Sequence, residues 1–184
     1  MLAINFDPFP VLQTSRLILR RPALRDAPEI FAMRSDPECM RFVPRPLVSS
    51  REDAINHLEL IDSKIRSNEG INWAVTLRDD DRMIGLMGIY RLSPEDYRGE
   101  IGYMIHPEFA GTGLTTEAVG EIVRYGFEEL KLNSIEGIID PRNHASARVL
   151  EKNAFRKEAH LRENIFWNGE FLDSVIYAKL ASDQ

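Results

Sequence analysis

The strongest constraint in this sequence is a helical repeat. Leu114, Ala118, Val119, Ile122, Val123, Gly126, Phe127 and Leu130 follow one another at steps of 4, 1, 3, 1, 3, 1 and 3. All of them fall on one face of an amphipathic helix of about four turns. Such a face has to be covered, and the residues before it say by what. Glu100, Gly102 and Met104 alternate with Ile101, Tyr103 and Ile105, the two-residue period of a strand with two distinct faces. Pro107 ends that strand, since proline lacks the amide a ladder needs. A strand therefore runs through a short loop with two glycines, Gly111 and Gly113, into a helix that packs back on the sheet.

The flanking sequence supplies the other elements. Arg16–Arg21 is a short apolar run that reads as a strand. Asp26 with Glu29, and Ser49 with Glu52, have the spacing of capping boxes at two helix starts. The second helix carries Ala54, Leu58, Ile61 and Ile65 on one face. Asn72–Arg78 and Met83–Leu92 read as strands joined across the three aspartates 79–81. Ser134–Asp140 is a further strand, and His144–Asn153 a short helix capped by Asn143. Phe155–Trp167 and Glu170–Leu180 flank Asn168–Gly169, a type I′ hairpin signal. The expected fold is α/β: a mixed, mostly antiparallel central sheet of about seven strands with about four helices packed on it. With 184 residues, 43% of them hydrophobic, the chain suits one domain over residues 1–184, with 1–13 as an N-terminal extension and 181–184 as a short tail.

Charge and cysteine content exclude several function classes. A net charge of −6 argues against a nucleic-acid partner, which calls for a basic face. One cysteine, Cys39, rules out an internal disulfide and a multi-cysteine zinc site. The four histidines are scattered without metal-ligand spacing, so no metal is expected. The first residues lack a basic region, carry Asp7 and are broken by Pro8 and Pro10, unlike a signal peptide. There is no run of 18 apolar residues, so no membrane span is expected. The expected location is the cytoplasm.

The glycine loop suits an anion. The free amides of a helix's first turn, with the positive end of its dipole, favour a group such as a pyrophosphate, and glycines let a ligand approach the backbone. It is not a P-loop, because Leu114 follows Gly113 where a lysine is needed. It is not a dinucleotide fingerprint, because Thr116 stands where the third glycine belongs. A tight strand–helix turn with no ligand remains the plain alternative.

Four stretches in order favour the ligand: Ile101–Ala118, Asp140–Phe155, Leu161–Phe171 and Val175–Leu180. Together they resemble the GNAT superfamily of acetyl-CoA-dependent N-acetyltransferases, and most of all the branch of ribosomal-protein N-terminal acetyltransferases. Thr14–Phe31 resembles that branch's opening, so the resemblance spans nearly the whole chain. It implies a sheet splayed at the cofactor site, acetyl-CoA as co-substrate, and direct acetyl transfer to a primary amine such as a protein N-terminal α-amine. It implies that Met104, Ile105, His106, Ala110, Gly111, Thr112, Gly113, Leu114, Thr115 and Thr116 hold the coenzyme, with Asn143 and Ser146 along its pantetheine arm. Ala110, Thr115 and Ala154 depart from the residues usual there.

Two residues are expected to do chemistry. Attack on a thioester needs a neutral amine and a proton for the departing thiolate. Glu100, on the strand face of Gly102 and Met104, is the expected base; an edge-strand glutamate in water is the alternative. Ser146 is the donor the resemblance implies, because Leu150 stands where many relatives have a tyrosine; Ser146 also sits in the first turn of a helix. The acceptor pocket is expected from Phe31–Val48, His57–Asn68 and Ile165–Phe171. A module that binds coenzyme A without turnover, an acetyltransferase of small-molecule or antibiotic amines, and an interaction protein that keeps only the fold are the competing readings. Exposed strands near the hairpin are compatible with a homodimer.

Overall fold

The computed structural model describes residues 1–183; Gln184, the last residue of the expected tail, lies outside them. The strands are β1 (Leu12–Gln13), β2 (Leu17–Arg20), β3 (Ile71–Leu77), β4 (Asp80–Ser93), β5 (Arg98–Ile105), β6 (Ser134–Ile139), β7 (Arg156–Trp167) and β8 (Glu170–Leu180). They form one eight-stranded sheet in the order β1-β2-β3-β4-β5-β6-β8-β7. Every neighbouring pair is antiparallel except β5 and β6. The helices are α1 (Ala27–Ser35), α2 (Pro37–Met40), α3 (Arg51–Arg66), α4 (Leu114–Glu128) and α5 (His144–Lys152).

The expected α/β architecture is present, with one more strand and one more helix. β1 has two residues and α2 four, too few for a period to show in a sequence. β1 lies inside the segment read as an extension, and that segment packs on the core. Phe6 and Leu12 are buried, and the indole of Trp73 donates to the Pro10 carbonyl at 2.8 Å.

Local signals misplaced two caps. Asp26 does not cap α1. Its carboxylate accepts the Ala23 amide at 2.9 Å and a two-pronged contact from the Arg20 guanidinium at 2.7 and 2.9 Å, out of solvent. A buried carboxylate needs a fixed cation more than a helix end needs a cap. The cap of α3 is shifted by one residue: Ser50 accepts from the Asp53 amide and Asp53 accepts from the Ser50 amide. The β3–β4 turn sits at Arg78–Asp79, and Asp80 and Asp81 belong to β4.

The two sheet faces carry separate cores. One gathers Leu114, Ala118, Val119, Ile122 and Val123 of α4 and Leu150 of α5 against Trp73, Met87, Ile89, Ile101 and Ile135 of the sheet. The other packs Ala27, Ile30 and Met33 of α1 and Ala54 and Leu58 of α3 on Ala74 and Met83.

A polar clamp fixes α4 to the start of the sheet. Glu117 accepts from Thr14 Oγ1 at 2.6 Å, Ser15 Oγ at 3.0 Å, the Arg16 amide at 3.0 Å and Arg16 Nε at 2.6 Å. Arg16 Nη1 reaches on to the Thr112 carbonyl at 3.2 Å, tying in the glycine loop. Partial burial works against the charge of Glu117, but these donors outweigh it and hold the carboxyl at about 2, against an ordinary 4.5. A carboxyl lowered on folding stabilises the fold above its unfolded pKa and loses that stabilisation as pH falls through its folded pKa. Glu117→Gln should therefore melt below wild type at neutral pH, with a gap that narrows from pH 4.5 down to about 2. Melting curves of both proteins across that range check it.

Candidate functional site

The parallel pairing of β5 and β6 covers only Arg98–Glu100 and Ser134–Glu136. Beyond it β5 stays with β4 as far as Ile105, and β6 with β8 as far as Ile139. The two strands part into a V-shaped fork with Glu100 at its vertex. The His106 amide donates to the Ile84 carbonyl at 2.7 Å, and a Cβ on Gly85 would lie 2.7 Å from the Met104 carbonyl. The main chains of Met104 and His106 are thus turned toward β4. By the alternation of an antiparallel ladder, those of Tyr103 and Ile105 turn into the fork.

On the α5 side of the fork, Tyr103 Oη lies 2.7 Å from Ser146 Oγ and donates toward the Ser146 carbonyl at 3.1 Å. The Ser146 amide donates to Asn143 Oδ1 at 3.0 Å, so Asn143 caps α5 independently of the serine hydroxyl. Leu150 is fully buried with its methyl carbons over Gly137, so it serves packing where relatives are expected to place a phenol. Burial pushes the Tyr103 hydroxyl up to about 12, against a smaller opposite effect of the Ser146 bond. That phenol carries its proton at neutral pH.

On the opposite face Glu100 is 4% exposed and bonded to Arg91, Nη1 to Oε2 at 2.6 Å. The edge-strand glutamate in water is not what the fold builds. Arg91 reaches it because β4 bulges between Tyr90 and Ser93 and Arg91 adopts φ 48°, a device that re-aims a side chain. Tyr90 lies opposite Glu100 in the register, and its ring covers Gly102, where a Cβ would lie 2.5 Å from the phenol oxygen. Burial first, and the Glu100 charge second, raise the Tyr90 hydroxyl well above the ordinary phenol value.

A cavity of about 800 Å³ runs through the fork and joins the two faces. Its floor is Glu100–Tyr103 and Gly137–Asp140, with Asn143 and Ser146 at one end. Its outer wall is residues 40–47, closed from the hairpin side by Ile165, Trp167 and Asn168. Two of the three expected acceptor segments contribute; His57–Asn68 does not, because α3 packs beneath α1. Burial and the charges of Arg34 and Lys64 hold His57 down at about 4, a packed neutral ring. Glu163 is exposed at φ 50°, where a register shift between Leu161 and Ile165 separates it from the cavity face. Cys39 does not line the cavity, and burial lifts its thiol to about 11. Among the described residues no group of three or more His, Cys, Asp or Glu could hold a metal ion, and no helix is long and apolar enough to cross a membrane.

The glycine loop follows the fork. Gly111 and Gly113 have φ of 76° and 82°, a conformation that glycine adopts without strain. Among the described residues, the amides of Gly111, Thr112, Gly113, Leu114, Thr115 and Thr116 donate no hydrogen bond, the first intrahelical one coming from Glu117. A Cβ on Gly111 would meet nothing within 4 Å, and one on Gly113 only Arg16 Nη2 at 3.6 Å. The Thr112 hydroxyl is folded back on the Phe109 carbonyl at 2.6 Å. This is a run of unpaired donors at the positive end of a fifteen-residue helix, open on the side a ligand would take.

Comparison with known proteins agrees with this architecture. The model of the acetyltransferase (GNAT) domain matches residues 16–156. The chain belongs to the GNAT acetyltransferases. The uncharacterized N-acetyltransferase YoaA of Bacillus subtilis is 36% identical over 170 residues, covering 92% of this chain and 96% of YoaA. A GNAT-family acetyltransferase from Bacillus anthracis superposes with a TM-score of 0.83 at 27% identity, over 94% of this chain and 99% of that one. RimL, a ribosomal L7/L12 α-N-protein acetyltransferase solved with coenzyme A, shares the fold at TM-score 0.86 and 17% identity, over 95% and 100% of the two chains.

Three residues of this GNAT site escape a reading of the sequence. Tyr103 looks like core because it alternates with Ile101 and Ile105. Tyr90 and Arg91 lie on another strand, and the one hint of them is Gly102, a strand glycine that signals a close approach. Gly102→Ala should cost about 1–3 kcal/mol by pressing on the Tyr90 ring, and clearly less in a Tyr90→Ala background. Denaturant unfolding of the four proteins of that cycle checks it.

Proposed function

We propose that this chain transfers an acetyl group from acetyl-CoA directly to a primary amine, with Glu100 as base and Ser146 as hydrogen-bond donor to the leaving sulfur. The carrying observation is the fork: it places a buried carboxylate and a hydroxyl pair on opposite faces of one slot, at the end of a strand that leads to unpaired amides. Acetyl-CoA supplies an activated thioester, whose transfer forms one C–N bond, breaks one C–S bond and leaves one proton to move from nitrogen toward sulfur.

The amides of Gly111–Thr116 fit the coenzyme's pyrophosphate. The main chains of Tyr103 and Ile105 face the slot where the pantetheine arm would run, past Asn143 at the head of α5. Met104 and His106 contribute through side-chain packing, since their main chains are turned to β4. Glu100 takes the proton of the incoming amine, and Arg91 keeps that carboxylate compensated while the site is dry. Ser146, oriented by the Tyr103 hydroxyl, donates where negative charge develops on sulfur, and the thiolate takes its proton from water as it leaves. Cys39 does not line the cavity and its thiol is raised, so transfer is direct. The acceptor is proposed to be a primary amine, of a protein N-terminus or of a small molecule. One domain with a cytoplasmic location suits this reading.

Two variants test it. Asparagine tolerates a left-handed backbone better than other side chains, so Gly113→Asn keeps the turn and fills the amide cradle. Its acetyl-CoA affinity, by calorimetry, should fall by about tenfold or more, the scale of losing one charge-assisted hydrogen bond. Unchanged affinity would remove the loop from the coenzyme site. Glu100→Gln should lower saturated turnover by about 10²-fold at neutral pH, the scale of one general base, and by less at high pH, where the amine is already neutral. A pH–rate profile matching wild type would show that another group takes the proton.

A further inference from the structure

One charged side chain lining the fork cavity has no ion-pair partner among the described residues, and it points to the acceptor. Three carboxylates line the cavity, and each already has a side-chain partner. Glu100 is bonded to Arg91, Asp140 to Arg142 at 2.6 Å, and Asp173 to His160 at 2.7 Å. Three arginines line it as well. Arg91 is taken by Glu100; Arg41 lies 3.8 Å from Glu38 and over the Phe42 ring. Arg45 has no carboxylate partner and no side-chain hydrogen bond among the described residues. Its main chain is held by Pro44 and Pro46 on either side, and by its amide, which donates to the Val43 carbonyl at 2.7 Å; the residue is exposed at the cavity wall.

Arg34 at the end of α1 is a second guanidinium without an ion pair among the described residues, and its Nε is buried with no partner. Burial first, and the charge of Arg45 second, lower Arg34 below the ordinary guanidinium value, so the two cations lie within each other's field. His57, the next titratable group, is neutral and brings no anion. The field of Arg45 also reaches the Tyr90 hydroxyl, where it opposes that of Glu100. Glu100 and Arg45 line the same cavity with opposite charges, one suited to an ammonium and the other to an oxyanion.

We propose that Arg45 is a specificity residue that binds an oxyanion on the acceptor, so that the preferred substrates are small primary amines carrying a carboxylate or phosphate a few bonds from the nitrogen. This rests on the acetyltransferase reading above and names the substrate class for the same site. With nitrogen at Glu100, such a molecule places its anion against Arg45, which has no ion-pair partner among the described residues. A polyamine places a second ammonium there, against a like charge, which disfavours it. A neutral amine gains nothing from Arg45.

The test uses matched amines: β-alanine, its neutral counterpart propanolamine, its cationic counterpart propanediamine, and phosphoethanolamine, which separates phosphate from carboxylate. Acetylation is read as thiol release, and binding of β-alanine and phosphoethanolamine is read by calorimetry. Wild type should favour at least one anionic amine over propanediamine by about tenfold or more in kcat/KM, the scale of one charge-assisted contact. Arg45→Gln should shrink the anionic-to-neutral ratio by about the same factor, mostly through KM, with Arg45→Lys restoring part of it. Arg45→Glu should reverse the order in favour of propanediamine. Acetylation of all four amines without regard to charge, or ratios unmoved by the three variants, would overturn the proposal and leave the acetyltransferase reading standing. Absence of acetylation of all four amines would overturn the substrate class, whether or not an anionic amine binds. Thiol release with a peptide α-amine then tests the acetyltransferase reading separately, and its absence too would overturn that reading.

Discussion

The parting of β5 from β6 after Glu100 governs everything else in this protein. A parallel pair that stops after three residues leaves main-chain donors and acceptors of two central strands without partners, and unpaired buried backbone is costly. The gap persists because each arm is held from outside: β5 by its ladder to β4, and β6 by its ladder to β8. α5 spans the opening, with Ser146 bonded to Tyr103 on one arm and Leu150 packed on Gly137 of the other. The gap is thus a rigid slot whose open backbone is ready for an extended polar ligand.

A slot through a sheet gives one cavity two chemical environments. Side chains alternate across β5, so Glu100 and Tyr103, three residues apart, face opposite sides. Tyr103 joins α5 and the α4 core, while Glu100 meets Tyr90, Arg91 and the wall that carries Arg45. An amine entering from the Arg45 side and a thioester lying along α5 would meet inside the sheet plane, between Glu100 and Ser146, the proposed base and donor. The same alternation makes Gly102 necessary, because the Tyr90 ring lies where its side chain would be.

Elements with a strong local period were legible in the sequence, and pairings between distant residues were not. α4 begins at Leu114 as its apolar steps require, and the β7–β8 hairpin turns at Asn168 and Gly169 with positive φ at both. The loop was legible because glycine spacing and a helix start are local signals. Asp26 was misread because a cap and an ion-pair partner look alike until Arg20 is seen beside it. Tyr103, Tyr90 and Arg91 were invisible because a bulge and a cross-strand contact define them.

The departures from the usual family residues become intelligible at this level. Ala154 stands at φ 63° just past α5, with its amide on the Glu151 carbonyl and the Phe155 amide on the Leu150 carbonyl, both at 3.0 Å. That pair of bonds is a Schellman closure, whose left-handed position glycine fills without strain. Alanine there costs about 1 kcal/mol, yet the closure is complete, and it sets where β7 departs and Phe155 is buried. The departure therefore bears on stability and leaves the cavity untouched. Thr115 is different in kind: it lies in the first turn of α4, partly exposed, with its amide among the unpaired six. What the loop offers an anion is backbone, fixed by two glycine dihedrals and by Arg16 on the Thr112 carbonyl. The Thr14–Arg16 run and Glu117, a hundred residues apart, are thus parts of one device: the first holds the second, and together they hold the amides in place.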